Sequence, residues 1–255
     1  MTTQHDFIGR VTAALGSAES PERQRATVFT GRRHGEILNR VRTRTDADRL
    51  KLLKELIAQG KPLNLQVISK KDPSDTAAAI AALVEEKSPE WEGPKSVAAW
   101  RHPLIDRLDL PEILCPQKVP VYSPRQINGE PESTNKRSSF RRRAETAFIG
   151  ITSADYCLAE TATLVMKTLP GRDRSVSLLP SIHVAVIELN QIIRNLPELY
   201  ACLKYEGKPP DWGLTNCLTL ISGPSKTADI ELTMVHGAHG PREVYLYVIT
   251  PTAAA

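Results

Sequence analysis

The sequence predicts an α/β fold, with an open mixed sheet flanked by helices and a helical extension at the N-terminus. Short apolar runs alternate with longer amphipathic or alanine-rich segments, and glycine or proline separates them. The clearest case runs from Leu218 to Ile249. There the pattern predicts a strand (Leu218–Ile221), a polar turn, a helix, a glycine-containing turn and a second strand (Val244–Ile249). This order is the βαβ unit from which α/β folds are built.

Two segments at the N-terminus are predicted to form an extension, residues 1–45, ahead of an α/β domain at 46–255. Phe7, Ile8, Val11 and Leu15 are spaced for one face of a short amphipathic helix that Gly16 ends. Residues 17–45 contain many polar groups, and their apolar residues show no regular spacing. We expect this segment to form an extended arm.

The first half of the domain continues the α/β alternation. A helix with a leucine-rich face is predicted to begin at Thr45–Asp48, with Gly60 just past its end. The pattern then predicts a strand at Leu63–Ser69, a helix from Ser74 or Asp75 to Glu86, and a strand at Val97–Trp100. The stretch Pro116–Ser139 is rich in proline, serine, asparagine and glycine. It predicts a mobile surface loop near residues 116–140.

The second half is predicted to add three more strands and two short helices. The strands are Ala147–Ile151, Ala162–Met166 and His183–Ile187. Ser153 is the expected cap of one helix, which carries Ala154, Cys157 and Leu158. Ser225 or Thr227 is the expected cap of the other, which carries Ala228, Ile230, Leu232 and Val235.

The turn before this last helix is a candidate anion site. Its residues are Ser222, Gly223, Ser225, Lys226 and Thr227. Free N–H groups at a helix N-terminus, together with hydroxyl groups and a lysine, suit a phosphate or a carboxylate. The alternative is that the hydroxyl groups only cap the helix and that Lys226 is solvated.

Further side chains are candidates for chemistry. Glu160 is expected where a helix meets a strand at the edge of a cleft, so it could act as a base, a nucleophile or an acceptor. Thr161 and Thr163 would line the same cleft, and Arg172 or Arg174 could hold a carboxylate with two parallel hydrogen bonds. Asp155 is a weaker candidate beside Glu160. The alternatives are caps and surface hydrogen bonds for the two acidic residues and solvated side chains for the two arginines.

Several classes of site are not predicted. The four cysteines, Cys115, Cys157, Cys202 and Cys217, are scattered without a Cys-x-x-Cys pair, which predicts neither a zinc site nor an iron–sulfur cluster in this chain. His236 and His239 are close in sequence, but the glycines around them favour a structural turn over a metal site. The motifs typical of nicotinamide dehydrogenases, P-loop hydrolases, serine hydrolases and zinc proteases are missing.

The net charge of +4 is concentrated in the first 144 residues, and its densest run is Lys136–Arg143. This run could contact nucleic acid, but a solvated connector or a face for an acidic partner is favoured because no nucleic-acid-binding motif accompanies it. No apolar run approaches the roughly 18 residues of a membrane helix, and the first residues carry no apolar signal core. We therefore expect a cytoplasmic protein.

Three blocks resemble the LUD-domain family, and within it the lactate utilisation C group. They are GITSADYCLAETATLV (150–165), GRDRSVSLLPSIHVAVI (171–187), and SGPSKTADIE followed by HGAHGPREV. They occur in the family's order and cover most of residues 147–250, and the opening FIGRVTAALG is similar to the family's first helix. The family usually shows Ala-Glu-Thr-Gly-Thr, and here Ala162 stands in place of that glycine.

The resemblance implies a fold similar to the sugar-phosphate isomerase and CoA-transferase-like superfamily. It also implies a role in bacterial growth on L-lactate beside two partners that carry cysteine-rich and iron–sulfur modules. The resulting hypothesis is a non-redox subunit of an L-lactate-oxidising system. It would have no cofactor of its own and would bind a small carboxylate or a partner between Glu160–Thr163 and Ser222–Thr227. The alternatives are a stand-alone enzyme acting on a sugar phosphate or acyl-CoA through Glu160, and a regulatory protein that docks an acidic partner.

Overall fold

The computed structural model of the chain describes residues 31–90, 93–124, 134–205, 217–228 and 234–250, with residues 6, 9, 10 and 13 as isolated helical positions. The predicted helix over Phe7–Leu15 therefore lies mostly outside the described residues. So does the middle of the predicted loop, residues 125–133, and the mobility of that loop stays a prediction.

The described chain contains eight helices and twelve strands. The helices are α1 Gly31–Arg42, α2 Asp46–Gly60, α3 Pro73–Glu86, α4 Pro103–Asp106, α5 Leu110–Leu114, α6 Thr134–Thr146, α7 Ser175–Leu178 and α8 Leu196–Tyr205. The strands are β1 Leu65–Lys70, β2 Val97–Ala99, β3 Val121–Tyr122, β4 Ile149–Ser153, β5 Tyr156–Leu158, β6 Thr163–Lys167, β7 Ile182–Glu188, β8 Ile192–Ile193, β9 Leu218–Ile221, β10 Lys226–Ala228, β11 Met234–His236 and β12 Glu243–Ile249.

The main sheet confirms the predicted α/β class. Its six strands lie in the order β1-β12-β7-β4-β2-β3, and every neighbouring pair is parallel. The mixed sheet is a smaller one of four strands in the order β8-β5-β6-β9, which combines parallel and antiparallel pairs. The expected mixture of strand directions is therefore found in the second sheet of the described chain.

Both faces of the main sheet are buried, as parallel sheets require. Along β7, Ile182, Val184 and Val186 belong to a cluster that α3, α4 and α5 complete. Ala185 and Ile187 point the other way, into a cluster shared with α2 and with the smaller sheet. The smaller sheet therefore covers one face of the larger one, because its own apolar side packs there.

Two helices begin close to where the sequence predicts. Thr45, at the predicted start of α2, caps the helix by accepting a hydrogen bond from the Asp48 N–H, and the helix includes Gly60. The helix α3 begins at Pro73, just before the predicted start. Asp72 is its cap and accepts from the Asp75 N–H at 2.8 Å. Proline suits this position because its fixed φ matches a helix and its missing N–H would have had no partner.

The predicted extended arm is wrong over residues 31–42, which form α1. Ile37, Leu38 and Val41 lie on one side of this helix, where Leu38 packs against Ala201 and Cys202 of α8. In the sequence this apolar pattern covers only three residues among several arginines, so it does not stand out as a helix face. Residues 17–30 lie outside the described part of the chain.

The predicted βαβ unit at 218–249 is also wrong. β9 belongs to the smaller sheet and β12 to the larger one, and between them β10 and β11 pair as antiparallel strands. The physical reason is visible in the expected helix, where Ala228, Ile230 and Leu232 recur at every second position. That is the period of a strand. Residues 229–233 lie outside the described part.

The short helix predicted after Ser153 is wrong as well, since the segment forms β5. The Asp155 N–H donates to the Val165 carbonyl at 2.8 Å, and residues 156–158 continue the antiparallel pairing with β6.

Part of the predicted loop near 116–140 is helical, because α6 begins at Thr134 and includes the basic run at 136–143. Phe140 and Ala144 anchor this helix in the core. Among the described residues, no helix has the length and apolar character needed to cross a membrane.

Candidate functional site

The connections of the main sheet create a crevice at the carboxyl ends of β2 and β4. β2 and β4 are neighbours, but the chain leaves β2 toward β3 on one side and leaves β4 toward β7 on the other. Ligands of open α/β sheets bind outside the carboxyl ends of the strands at such a topological switch point. The residues that follow β2 and β4 are therefore the first candidates for a binding site.

The loop at Gly171–Arg174 is held over this crevice by the residues that follow β2. The Arg101 N–H donates to the Gly171 carbonyl at 3.0 Å, and Trp100 Nε1 donates to the Asp173 carbonyl at 2.8 Å. Trp100 itself is fully buried. A rigid indole thus fixes the loop that carries Arg172.

Arg172 is mostly buried at the switch point and pairs with Asp155. Its Nη1 lies 3.1 Å from Asp155 Oδ1, and the two side chains are 20% and 15% exposed. Asp155 Oδ2 is fixed in turn by the Lys167 N–H at 2.7 Å. An arginine has several N–H donors in a planar fork, so the pair with Asp155 leaves others for a second oxyanion.

His102 completes this group, and the sequence analysis missed it. Its Nδ1 accepts a hydrogen bond from the Leu104 N–H at 3.2 Å, so the neutral ring carries its proton on Nε2. Burial lowers the pKa of His102, and the positive charge of Arg172 lowers it further. The imidazole is therefore neutral at pH 7. We call Trp100, His102, Asp155, Arg172 and Asp173 the switch-point cluster.

Three predicted site residues meet elsewhere, through their hydroxyl groups. Thr163 Oγ1 lies 2.7 Å from Thr161 Oγ1 and 2.7 Å from Ser222 Oγ. The chain of hydroxyls joins the start of β6 to the turn after β9. We call it the hydroxyl cluster, and it shows that the first and third sequence blocks are in contact.

The turn at 222–227 differs from the predicted anion site. No helix follows the turn in the described residues, so the helix N-terminus on which that prediction rested is not there. Ser225 instead connects two segments: its N–H donates to the Pro241 carbonyl at 2.8 Å, and its carbonyl accepts from the Gly237 N–H. Its Oγ accepts from the His239 N–H at 3.3 Å. Lys226 is exposed, and Thr227 lies in β10.

Gly223 has a structural reason for being glycine. Its φ is +81°, and a Cβ at this position would lie 2.5 Å from the Leu63 carbonyl oxygen. The turn after β9 therefore packs its backbone directly on the end of the 3-10 turn at Lys61–Leu63.

Glu160 lies in the turn between β5 and β6, not at a junction between a helix and a strand. Its carboxylate is exposed, and its N–H donates to the Arg194 carbonyl at 3.0 Å. Thr163 and Lys167, at the two ends of β6, are about 13 Å apart at strand spacing. Arg172 therefore belongs with Lys167 and Asp155 at the far end, and the predicted site residues do not form one cleft.

The structure also shows where His236 and His239 lie. His239 is exposed, and the backbone of His236 pairs with Lys226 in the β10–β11 ladder. A search of the described residues finds no group of His, Cys, Asp and Glu side chains arranged to hold a metal ion.

Ala162 adopts a backbone conformation that favours glycine. Its φ is +45°, and it is fully buried in the turn between β5 and β6. The Cβ of an L-residue there costs about 1 kcal/mol. We expect Ala162→Gly to raise the free energy of unfolding by about 1 kcal/mol, measured by urea denaturation.

The neighbouring Ala159→Gly is the matched control for that measurement. Ala159 is equally buried but has no positive φ, so the variant should lose stability because glycine adds backbone entropy to the unfolded chain. A loss of stability in both variants would contradict the strain assigned to Ala162.

Comparison with known proteins gives consistent matches along most of the chain. The family model for the LUD domain matches residues 53–249. "Lactate utilization protein C" of Halalkalibacterium halodurans is 35% identical over 171 residues, which are 67% of this chain and 67% of that protein. The protein of the same name from Shouchella clausii is 33% identical over 62% of this chain and 63% of its own length.

Other matches are shorter. "Lactate utilization protein C" of Exiguobacterium sp. is 40% identical over 41% of this chain and 45% of its own length. The chain thus matches about two thirds or less of the length of these relatives. A solved structure of a DUF162 family protein from Deinococcus radiodurans superposes with a TM-score of 0.45 at 17% identity, covering 81% of this chain and 99% of that one.

Proposed function

Because this chain belongs to the LUD domain family, we propose that it serves in bacterial lactate utilisation as a cytoplasmic subunit that binds a small carboxylate. The carboxylate is a 2-hydroxy or 2-oxo acid of the size of lactate or pyruvate, and its site is the switch-point cluster. The observation that carries the proposal is the position of Arg172, mostly buried at the topological switch point of a chain whose relatives are named for lactate utilisation.

The chemistry of the cluster suits such a ligand. The N–H groups of Arg172 that Asp155 does not use can donate to a carboxylate, while Asp155 holds the guanidinium in place. The Nε2–H of the neutral His102 can donate to the 2-hydroxyl or 2-oxo oxygen, since its Nδ1 is already occupied. The lowered pKa keeps His102 uncharged, so it adds hydrogen bonding without competing with Arg172 for the Asp155 carboxylate.

The positions of the cysteines support electron carriers on partner chains. Cys157 lies in β5, Cys202 in α8, Cys115 in the turn after α5 and Cys217 just before β9. Cys157 and Cys202 are buried, and burial raises the pKa of the Cys157 thiol, which keeps it protonated. A cluster ligand must be a thiolate that can meet other thiolates. We therefore propose that the iron–sulfur clusters belong to partner subunits and that this chain is the non-redox component.

The first test is binding of L-lactate and pyruvate to the purified chain by calorimetry. We expect Arg172→Lys to weaken binding about tenfold, because lysine keeps the charge and the contact with Asp155 but cannot form two parallel hydrogen bonds. Arg174→Lys is the matched control, since Arg174 is an exposed arginine of the same loop. Unchanged affinity in Arg172→Lys, or equal loss in both variants, would overturn the site.

The role as a subunit has a separate test. The tagged chain is purified from its own cells grown on L-lactate, and the eluate is assayed for iron, acid-labile sulfide and co-eluting proteins. We expect cysteine-rich partners with iron and sulfide. A protein that elutes alone and without iron would contradict the assignment as a subunit and would favour a stand-alone enzyme, for which Glu160→Gln is the diagnostic variant.

A further inference from the structure

A second polar cleft lies away from the switch-point cluster, where α1 and α2 meet the start of α8. It has a volume of about 390 Å³. Four basic side chains (Arg40, Arg44, Lys51 and Arg194) and three acidic ones (Asp48, Glu55 and Glu198) line it, with Ile37, Leu52, Asn195 and Pro197. The charge balance of the cleft is therefore positive.

Arg44 is the central residue of this cleft. Its side chain is only 10% exposed, and its Nη2 lies 2.6 Å from Glu198 Oε1. Its Nη1 is buried and has no hydrogen-bond acceptor among the described residues. A buried charged donor without an acceptor costs free energy that an anion in the cleft would recover.

The three acidic side chains of the cleft already have partners. Glu198 accepts from Arg44 and from the Arg194 N–H, and Asp48 accepts from Lys51 and from the Thr45 hydroxyl. Glu55 lies 3.7 Å from Arg194. None of these three acidic side chains accepts a hydrogen bond from Arg44 Nη1. Arg40 likewise shows no ion pair within the described part of the chain and is exposed at the rim.

The wall of the cleft adds an apolar surface. Leu52 is buried, Ile37 is half-buried, and Pro197 lies on the opposite side at the first turn of α8. We propose that the cleft binds an organic monocarboxylate with an apolar body. Its carboxylate accepts from Arg44 Nη1 and from the guanidinium of Arg40, and its body packs on Ile37, Leu52 and Pro197. One negative charge matches the one basic side chain without a partner, Arg40.

The test is a chemical-shift titration of the full chain with three probes. Hexanoate carries both the charge and the apolar body, hexanamide has the body without the charge, and inorganic phosphate has the charge without the body. We expect saturable shifts with hexanoate at residues 37–55 and 194–198 and none with hexanamide. An equal response to hexanoate and hexanamide, binding of phosphate alone, or no saturable shift would each overturn the proposal.

Two variants locate the site. We expect Arg44→Lys to weaken hexanoate binding about tenfold, because lysine can keep the pair with Glu198 but lacks the second nitrogen. Arg40→Gln, at an exposed position that cannot disturb the core, should weaken it by about the same factor. Arg42→Gln removes an exposed arginine from the same helix outside the cleft and should bind as the parent does. Parental affinity in Arg40→Gln and Arg44→Lys would contradict the assignment.

Arg172→Lys should leave hexanoate binding unchanged, so this test and that of the proposed function fail independently.

Discussion

Gly150→Ala is expected to destabilise the protein by roughly 3 kcal/mol or more. Gly150 is the second residue of β4, where α7 packs against the strand. A Cβ there would lie 1.8 Å from the Val176 carbonyl oxygen and 2.9 Å from its carbonyl carbon. Backbone atoms cannot rotate away as the end of a side chain can, so α7 or β4 must move. The measurement is the free energy of unfolding from urea denaturation of both proteins.

Gly35→Ala is the matched control for this substitution. Gly35 lies in α1, and nothing lies within 4 Å of a Cβ built on it. Alanine should raise the free energy of unfolding there by about 0.5–1 kcal/mol, because it loses less backbone entropy in a helix. If both variants keep the parental stability, the close approach of α7 to β4 is contradicted.

The elements that the sequence predicts well are those whose local pattern and tertiary environment agree. Thr45 stands where a cap is needed before a leucine-rich face, and α2 begins there. The apolar runs that became β7 and β12 are continuous because both faces of the main sheet are covered. For such segments, periodicity alone determines the element.

The segments predicted wrongly are those where a short pattern fits two structures. A helix carrying Ala228 and Val235 fits the Gly-Pro turn and possible cap that precede it, but both residues lie in paired strands. Ser153 can cap a helix as well as end a strand. Only the hydrogen bond from the Asp155 N–H to the Val165 carbonyl and the pairing of β5 with β6 show that a strand follows. Local propensity does not contain such pairing information.

The candidate site was predictable only in part for the same reason. Arg172 could be identified as a carboxylate ligand from its residue type, but its partner Asp155 lies 17 positions away and meets it only through the β5–β6 pairing. His102 had a usable signal, since it lies two residues after the end of the predicted strand at Val97–Trp100. The strand order that places the switch point between β2 and β4 depends on pairings between distant segments, which no local pattern reveals.

Acidification is expected to cost the protein about 3 kcal/mol through one buried histidine. His183 lies in β7 and is completely buried, with Nε2 2.8 Å from Thr152 Oγ1 and with no partner for Nδ1 in the described chain. Burial lowers the pKa of His183 to about 4, since a charged imidazole would lose its hydration there. In the unfolded chain the pKa has its ordinary value of about 6.5.

The sign follows from which state binds the proton. Between these two pKa values the unfolded chain is protonated at this residue and the folded protein is not. Stability is therefore complete above about pH 6.5 and falls as the pH is lowered toward 4.

His183→Gln cannot titrate but keeps a hydrogen-bonding group for Thr152, so its free energy of unfolding should change about 3 kcal/mol less than the parental one over this window. Thr152→Ser retains both the histidine and its hydroxyl partner and should keep the parental pH dependence. Because carboxylates elsewhere also titrate in acid, the difference between the parental protein and His183→Gln is the decisive quantity. Parallel curves would show that water or another group reaches the imidazole in the folded state.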